Sequence, residues 1–442
     1  MKLGVFVHDT LVATLESLDG FRHVLTYHPG VPPELFVSLL MPVRTESYVY
    51  EHDIHPFFRM NMPEGFLLSV LQEQLGPHIG ASPLSLLAVV GCNAIGRVKV
   101  APEGADPTQA PLAFDMADIL RGDNSEAAFV DLVRRHAVSG VSGVVPKFLS
   151  PNALAPFGKG TLHTDRYIIK GTTSRFPGVA VNEHLCMEVS RRAGIATAQT
   201  ELSDDGLALV VHRFDFEGDD GMKRKGMEDL CSLLLLKPEN KYESTWERVV
   251  NRIGETVGDA GRRFAALSQL ADLLLLTYAL RNADCHTKNI ALLYSSREDV
   301  RLADVYDMLT INVYDDFAKN PPGMSVGGSS KWLPGKPLET FLQVRCGILP
   351  EEARQRIERI CEAMVAVTPM VIHAMRQYPH FKETGKRMVH VWNDGMNSLR
   401  LKKTWSLPSL DGAIAQARFS PMKPMKPTPR EKIGRSPLLG KR

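Results

Sequence analysis

Apolar and polar positions alternate in short runs through the first 44 residues, as in Gly4-Val-Phe-Val and His23-Val-Leu-Thr-Tyr, with breaks at Asp19-Gly20 and Pro29-Gly30. Period-two alternation bounded by turn residues predicts a small β-rich start. Helical spacing follows over Phe66–Leu75 and Leu84–Val90, the second ended by Gly91, and Ile95-Gly-Arg-Val-Lys-Val100 reads as a strand. Proline, glycine and acidic residues mix between Pro102 and Asn124, which predicts a domain boundary. Beyond it, Tyr167-Ile-Ile-Lys-Gly171 and Leu207–Phe216 read as strands, and Val181–Arg192 as a helix closed by Gly194. From Met227 to Met375 the spacing is mainly helical: Met227–Leu236, Ser244–Gly254, Arg262–Arg281 and Pro350–Met375. Two short β runs, Ile290–Tyr294 and Val300–Val305, interrupt it and predict a hairpin around Ser295-Ser-Arg-Glu-Asp299.

Composition narrows the class only a little. With 442 residues, 44% of them hydrophobic, the chain can bury two or three cores. The net charge of +2 hides an asymmetry: eight Lys or Arg and one Glu between Arg418 and Arg442 give that tail +7 and leave about −5 elsewhere. Pro421, Pro424, Pro427 and Pro429 alternate there with Met and basic residues, which predicts an extended arm. Six scattered cysteines without a C-x-x-C pair predict reduced thiols in a cytoplasmic protein, not a zinc site or disulfide framework. The apolar run Leu273–Leu276 is too short for a bilayer, so no membrane partner is expected.

Chemistry concentrates where the Arg262–Arg281 pattern runs into Asn282-Ala-Asp-Cys-His-Thr-Lys-Asn289. Polar groups at the end of a buried helix are costly without partners, and a phosphate ester and a metal ion are suitable ones. Asp284 and Asn289 stand five residues apart before the first β run, and Asp307 follows the second. This is the order of the kinase catalytic segment: a carboxylate base, an amide metal ligand, then a carboxylate bridging metal to phosphates. Mg²⁺ is the hard cation such oxygens suit. Upstream, Lys170 at the end of a β run could hold nucleotide phosphates, with Glu183 and Glu188 as the carboxylates available to pair with it. Gly140 and Gly143 in Val138–Lys147 would let backbone approach a phosphate. Each feature alone is ordinary; their joint order predicts a phosphotransferase.

A longer series of motifs resembles the HipA family, bacterial serine/threonine kinase toxins of type II toxin–antitoxin modules. It comprises Phe57-Phe-Arg-Met-Asn-Met-Pro-Glu-Gly65, Ser142-Gly-Val-Val-Pro-Lys147, Tyr167-Ile-Ile-Lys170, Asn182-Glu183, Arg213-Phe-Asp215, Glu228-Asp-Leu-Cys231, Lys241-Tyr-Glu243, Asp284-x-His-x-Lys-Asn289, Tyr306-Asp307 and Met324-Ser-Val-Gly-Gly328. The resemblance implies an α+β, two-lobed protein-kinase-like fold, with a β-rich N-terminal lobe, an extra N-terminal subdomain and a mainly α-helical C-terminal lobe. The corresponding divisions are 1–105 for the subdomain, 106–216 for the lobe with Lys170, 217–415 for the catalytic lobe and 416–442 for the tail. It also implies ATP and Mg²⁺ as cofactors, with Asp284 as base, Asn289 and Asp307 on the metal, and Lys170 on the phosphates. Backbone near Arg213 and Phe214 would receive adenine, the Ser142, Gly143, Val144 and Val145 loop would face the nucleotide, and His286 and Lys288 would shape the site or its charge. Autophosphorylation at Ser142 or Ser139 is implied, as are an aminoacyl-tRNA synthetase substrate, a helix-turn-helix antitoxin partner and operator DNA reached through that antitoxin.

The chain departs from the family pattern at four points: His212 for a common Glu, Val145 for Gln, Gly140 for the first loop serine, and Cys285 for a commoner Gly beside the base. The first puts a side-chain contact to adenine in doubt, and the third favours Ser142 over Ser139. Two rival expectations remain open, a small-molecule kinase of the same fold and a catalytically weak repressor or antitoxin subunit.

Overall fold

The computed structural model describes residues 1–19, 21–62, 82–107, 115–139, 160–163, 166–217, 223–332, 335–401 and 405–416. The expected Phe66–Leu75 helix, the Ser142–Val145 loop and the basic tail lie outside them. The chain forms two compact units. One comprises Met1–Arg175, Ser203–Pro238 and Ala291–Val300; the other Phe176–Leu202, Glu239–Ile290 and Arg301–Arg442.

The first unit contains the expected β-rich start. Strands Lys2–Val7, Thr10–Ser17, Arg22–Tyr27, Tyr48–Glu51 and Val98–Pro102 make one antiparallel sheet, with Lys2–Val7 between Thr10–Ser17 and Val98–Pro102. Alternate residues Leu3, Val5, Val7, Ala13, Leu15 and Leu25 enter a core with Phe57, Phe58, Leu84 and Leu87, which is the period-two prediction realised. The Pro83–Val90 helix starts where Ser82 Oγ accepts Ser85 N–H at 3.1 Å and stops at Gly91, whose place a Cβ could not share with the Val100 carbonyl 2.5 Å away. A second, separate core joins Ile119, Phe129, Leu132, Ile169, Ala208 and Val210. It lies under the strands Gly160–His163, Tyr167–Gly171 and Ala208–His212, antiparallel with Tyr167–Gly171 central.

The Met227–Leu236 helix expected from the sequence is replaced by a strand, Gly226–Asp229, and one helical turn, Leu230–Leu233. The strand pairs with Ala291–Tyr294 in the register Gly226↔Tyr294 to Asp229↔Ala291. Both strands are buried throughout; Gly226-Met-Glu-Asp229 is too short and polar to show a strand period of its own, and the mainly apolar stretch that follows it, Leu230 to Leu236, supplies the helical reading. Gly226 makes the pairing possible, because a Cβ there would fall 2.1 Å from the Tyr294 ring. Asp229 then caps the turn, accepting Ser232 N–H at 2.7 Å.

Glu228 on this strand is fully buried. It accepts the Tyr294 hydroxyl at 2.6 Å, Leu39 N–H at 2.6 Å and the Ser38 hydroxyl at 2.8 Å. Burial pushes its carboxyl up to about 7 in spite of these donors. Asp215, equally buried, behaves oppositely. Burial would raise it, but the Arg213 guanidinium, bonded at 2.5 and 3.0 Å, outweighs that and holds it below the usual range.

The second unit is mainly helical, as expected. Its helices are Val179–Arg192, Trp246–Thr256, Ala260–Ala279, Lys336–Thr340, Pro350–Gln377, Lys382–Ser398 and Asp411–Gln416. Thr245 and Asp259 cap the second and third through Arg248 N–H and Arg262 N–H. Pro350–Gln377 packs against Val179–Arg192, Ala260–Ala279 and Lys382–Ser398. Lys382–Ser398 lies beyond the helices read from the sequence, although Met388, Val389, Trp392 and Met396 form its buried face. It approaches Ala260–Ala279 so closely that a Cβ on Gly395 would sit 1.9 Å from the Ala279 carbonyl oxygen. The second β run shortens from the expected Val300–Val305 to Arg301–Leu302. All six cysteines are free thiols. No helix among the described residues is long and apolar enough to cross a membrane.

Candidate active site

The second unit builds its polar centre at the C-terminal end of the Ala260–Ala279 helix. Arg281 turns into the left-handed region at φ 53°, and Asn282 N–H returns to the Thr277 carbonyl at 3.0 Å, which stops the helix. Such a φ costs a non-glycine residue about 1 kcal/mol, so neighbouring groups must hold the turn. Asn282, itself buried, holds it: its side-chain oxygen accepts Asp284 N–H at 3.2 Å and its carbonyl accepts Cys285 N–H at 3.2 Å.

The next turn locks on itself. Asn289 Oδ1 accepts His286 N–H at 3.0 Å while Asn289 N–H donates to the His286 carbonyl at 2.9 Å, closing a 3₁₀ turn over Thr287–Asn289. The other end of the same amide, Asn289 Nδ2, donates to Asp307 Oδ2 at 2.6 Å. Asp307 has φ 55°, and Tyr306 beside it donates its hydroxyl to the Lys288 carbonyl at 2.7 Å. Two segments eighteen residues apart are thereby joined, so His286, Lys288, Asn289 and Asp307 belong to one bonded group, and Asp284 lies two residues before His286 in the same loop. Asp284, Lys288 and Asp307 are partly exposed, whereas His286 and Asn289 are buried.

Two further segments press on this loop. Gly323 leaves no room for a Cβ, which would lie 2.3 Å from the Cys285 carbonyl oxygen. The Lys241 carbonyl accepts both Thr287 N–H at 3.2 Å and the Thr287 hydroxyl at 2.9 Å. Next to that staple, the Tyr242 hydroxyl donates to Asp284 Oδ1, and its ring stands edge-on to His286 with centroids 4.9 Å apart. Tyr242 was visible only as the middle of Lys241-Tyr-Glu243, and nothing in the sequence assigned it a task. Cys285, the departure beside Asp284, is buried, and burial pushes its thiol up to about 12. It stays a neutral filler there.

The donor chemistry of Asn289 and Asp307 fits Mg²⁺. Asp307 offers carboxylate oxygen and Asn289 an amide oxygen, although it is the Asn289 NH₂ that faces Asp307; Mg²⁺ is commonly held by one or two side chains with phosphates and waters completing its shell, and among the described residues no group of three or more His, Cys, Asp or Glu could hold a metal ion. The Asn289 oxygen accepts His286 N–H and, as an amide carbonyl, has a second lone pair.

The remaining candidates lie elsewhere. Lys170 is partly exposed on the central Tyr167–Gly171 strand of the first unit, paired with Thr161 and Leu209 across the sheet. Glu188 gives its two oxygens to Arg191 at 3.0 Å and Arg192 at 2.7 Å, and Glu183 is almost wholly buried. Arg213 is spent structurally: its side chain serves Asp215, and its N–H donates to the Arg166 carbonyl at 3.0 Å. Its amide is thus unsuited to adenine, which narrows that expectation to its carbonyl and to the Phe214 backbone. Ser139 is the last residue of the Glu126–Ser139 helix, not part of a loop. Ser142, Gly143, Val144 and Val145 are outside the described residues.

Comparison with known proteins bears on both halves of the chain. Residues 3–101 match the model of the HipA N-terminal domain, and residues 139–368 match that of the HipA-like C-terminal domain. The Sinorhizobium fredii protein named "Putative kinase Y4mE" is 29% identical over 300 residues, 64% of this chain and 70% of that one. A second protein from that organism, "Putative kinase Y4dM", is 24% identical over 339 residues, 71% and 78% of the two chains. Among solved structures, HipA of Shewanella oneidensis MR-1, in complex with HipB and its operator DNA, superposes with a TM-score of 0.56 at 17% identity, covering 90% of this chain and 96% of that one. At that identity the likeness speaks for the fold.

Proposed function

This chain belongs to the HipA family, and from that premise we propose that it is an ATP- and Mg²⁺-dependent serine/threonine protein kinase, the toxin of a bacterial toxin–antitoxin pair. The observation that carries the proposal is the contact of Asn289 with Asp307 at 2.6 Å, Asn289 standing in the same loop as Asp284. In this reading Asp284 takes the proton of the attacking hydroxyl, and Asn289 and Asp307 hold Mg²⁺. The metal, when bound, supplies neutralisation of the charge that gathers on the transferred phosphoryl group. Lys170 holds the ATP phosphates, His286 and Lys288 fix the shape and charge of the loop, and the Arg213 carbonyl with Phe214 backbone meets adenine. The Ser142–Val145 segment covers the nucleotide.

The acceptor in this proposal is a serine or threonine of an aminoacyl-tRNA synthetase, and its modification arrests growth in the cytoplasm. A helix-turn-helix antitoxin binds the kinase and connects it to operator DNA. Phosphorylation at Ser142 or Ser139 would place about −1.5 to −2 charges near the site of the ATP phosphates and silence the enzyme. The test is incubation of the full chain with labelled ATP, Mg²⁺ and bacterial lysate, followed by gel separation and identification of labelled bands. A labelled synthetase is the expected result. A labelled metabolite with no labelled protein identifies a small-molecule kinase instead, and no labelled product removes the enzymatic reading.

A further inference from the structure

We propose that Tyr242 is a positioning residue for phosphoryl transfer: its hydroxyl fixes the Asp284 carboxylate through Oδ1 and assigns proton acceptance to Oδ2. This rests on the kinase reading above. The observation behind it is the direct bond from Tyr242 Oη to Asp284 Oδ1 inside the second unit. A carboxylate on a short side chain can rotate about its terminal torsion, which is broad and roughly two-fold, so one anchored oxygen turns a swinging base into an oriented one. Orientation of a reacting group contributes to rate separately from substrate affinity.

Tyr242 can anchor because it is itself held. One residue before it, the Lys241 carbonyl accepts the amide and hydroxyl of Thr287, and that threonine lies three residues beyond Asp284. The Asn240 carbonyl accepts Glu243 N–H at 2.8 Å, closing the turn that carries the tyrosine. Three residues further on, Trp246 N–H donates to the Ser325 carbonyl at 3.1 Å, which ties the segment to the strip that begins with Gly323 against the Cys285 carbonyl. The edge-on contact with His286 sets the ring plane. Tyrosine donor and aspartate acceptor thus sit at the two ends of one closed frame.

The transfer step balances simply. The acceptor hydroxyl oxygen forms a bond to the γ-phosphorus of ATP, the bond from that phosphorus to the β–γ bridging oxygen breaks, and ADP leaves. The hydroxyl proton passes to Asp284 Oδ2, while Tyr242 keeps its own proton and its bond to Oδ1.

Tyr242→Phe separates this role from a packing role, because phenylalanine retains the ring contact with His286 and removes only the hydroxyl. The full chain is assayed with Mg²⁺ and ATP on casein as a generic acceptor and on bacterial lysate. The expected result is a roughly ten-fold lower kcat, smaller than the about 10²- to 10⁴-fold that a general base contributes because the base itself is kept, with KM for ATP unchanged. In the double variant with Asp284→Asn the tyrosine substitution adds no further loss, since a positioning residue has nothing left to position. Unchanged kcat in an active protein, or full additivity in the double variant, overturns the role of Tyr242 and leaves the kinase reading intact. No transfer by the wild-type chain to casein, lysate proteins or itself overturns both.

Discussion

Two tyrosine–carboxylate pairs, one in each unit, use the same bond for different ends. Tyr242 donates to Asp284 in the second unit, and Tyr294 donates to Glu228 in the first. Asp284 is partly exposed and lies in the same loop as Lys288 and Asn289. Glu228 has no exposed surface, and its other donors are the hydroxyl of Ser38 and the amide of Leu39, both neutral. A partly solvated carboxylate can exchange a proton with a substrate. A sealed one can only join segments, here the loop at Ser38–Leu39 to the strands Gly226–Asp229 and Ala291–Tyr294. The contact type alone therefore does not mark a site; exposure and neighbours do.

The largest expected effect tests the exposed member. Asp284→Asn and Asp307→Asn should each lower phosphoryl transfer by about 10³-fold, or about 4 kcal/mol of barrier, while leaving the thermal midpoint within a few degrees of wild type. Steady-state transfer to lysate protein and a melting curve measure the two halves, and growth inhibition on expression should vanish with the activity. If either variant unfolds instead, the cluster is structural and the contrast with Glu228 disappears.

Next comes the sealed member. Glu228→Ala leaves the Tyr294 and Ser38 hydroxyls and the Leu39 amide without their acceptor, at about 1 to 3 kcal/mol for each unsatisfied buried group. A total loss of about 3 kcal/mol or more is expected in urea unfolding followed by fluorescence. Because no part of the proposed chemistry uses Glu228, activity per folded molecule should stay near wild type.

A pH series sharpens the same point. Burial raises the Glu228 carboxyl from 4.5 to about 7 in the folded state. The folded state then holds its proton more tightly than the unfolded chain, so this contribution to stability is complete below pH 4.5, declines between 4.5 and 7, and is lost above. The shift corresponds to about 3 kcal/mol at most. Glu228→Gln removes the titration, and the difference in unfolding free energy between wild type and variant should shrink from pH 4.5 to 7. A constant difference would mean that Glu228 stays ionised throughout.

The two pairs also differ in how far the sequence revealed them. Asp284, Asn289 and Asp307 stood out because their order and spacing are those of the kinase catalytic segment, a pattern that survives in one dimension, and the structure joins two of them, Asn289 and Asp307. Glu228 was visible only as the first residue of Glu228-Asp-Leu-Cys231, and its role was hidden because its partners are remote in sequence, Ser38 by 190 residues and Tyr294 by 66. The early strands were readable from alternation, having one face in the Leu3–Val100 core. Lys382–Ser398 escaped since two glycines, Gly385 and Gly395, interrupt its apolar face at the points where neighbours come nearest: Met375 to the first and the Ala279 carbonyl to the second. Tyr242 escaped for a related reason. A tyrosine in a loop has no periodicity, and its meaning comes from Asp284, 42 residues later.

The smallest expected effect compares the tyrosines directly. Tyr294→Phe removes one of three donors to Glu228 and keeps a ring that stacks on Phe36 with centroids 5.4 Å apart. Losing one neutral donor to a buried acceptor that retains two others should cost about 1 to 2 kcal/mol of stability. It should also make protonation of Glu228 easier, because the donor that opposed it is gone; the pH region over which stability declines should therefore move upward. Turnover should be unchanged. Tyr242→Phe should show the reverse, a slowed reaction in a protein whose urea midpoint is within error of wild type. Measuring both quantities for both variants separates assembly from chemistry: if the two substitutions affect the same observable, the pairs share one role and the division drawn from exposure fails.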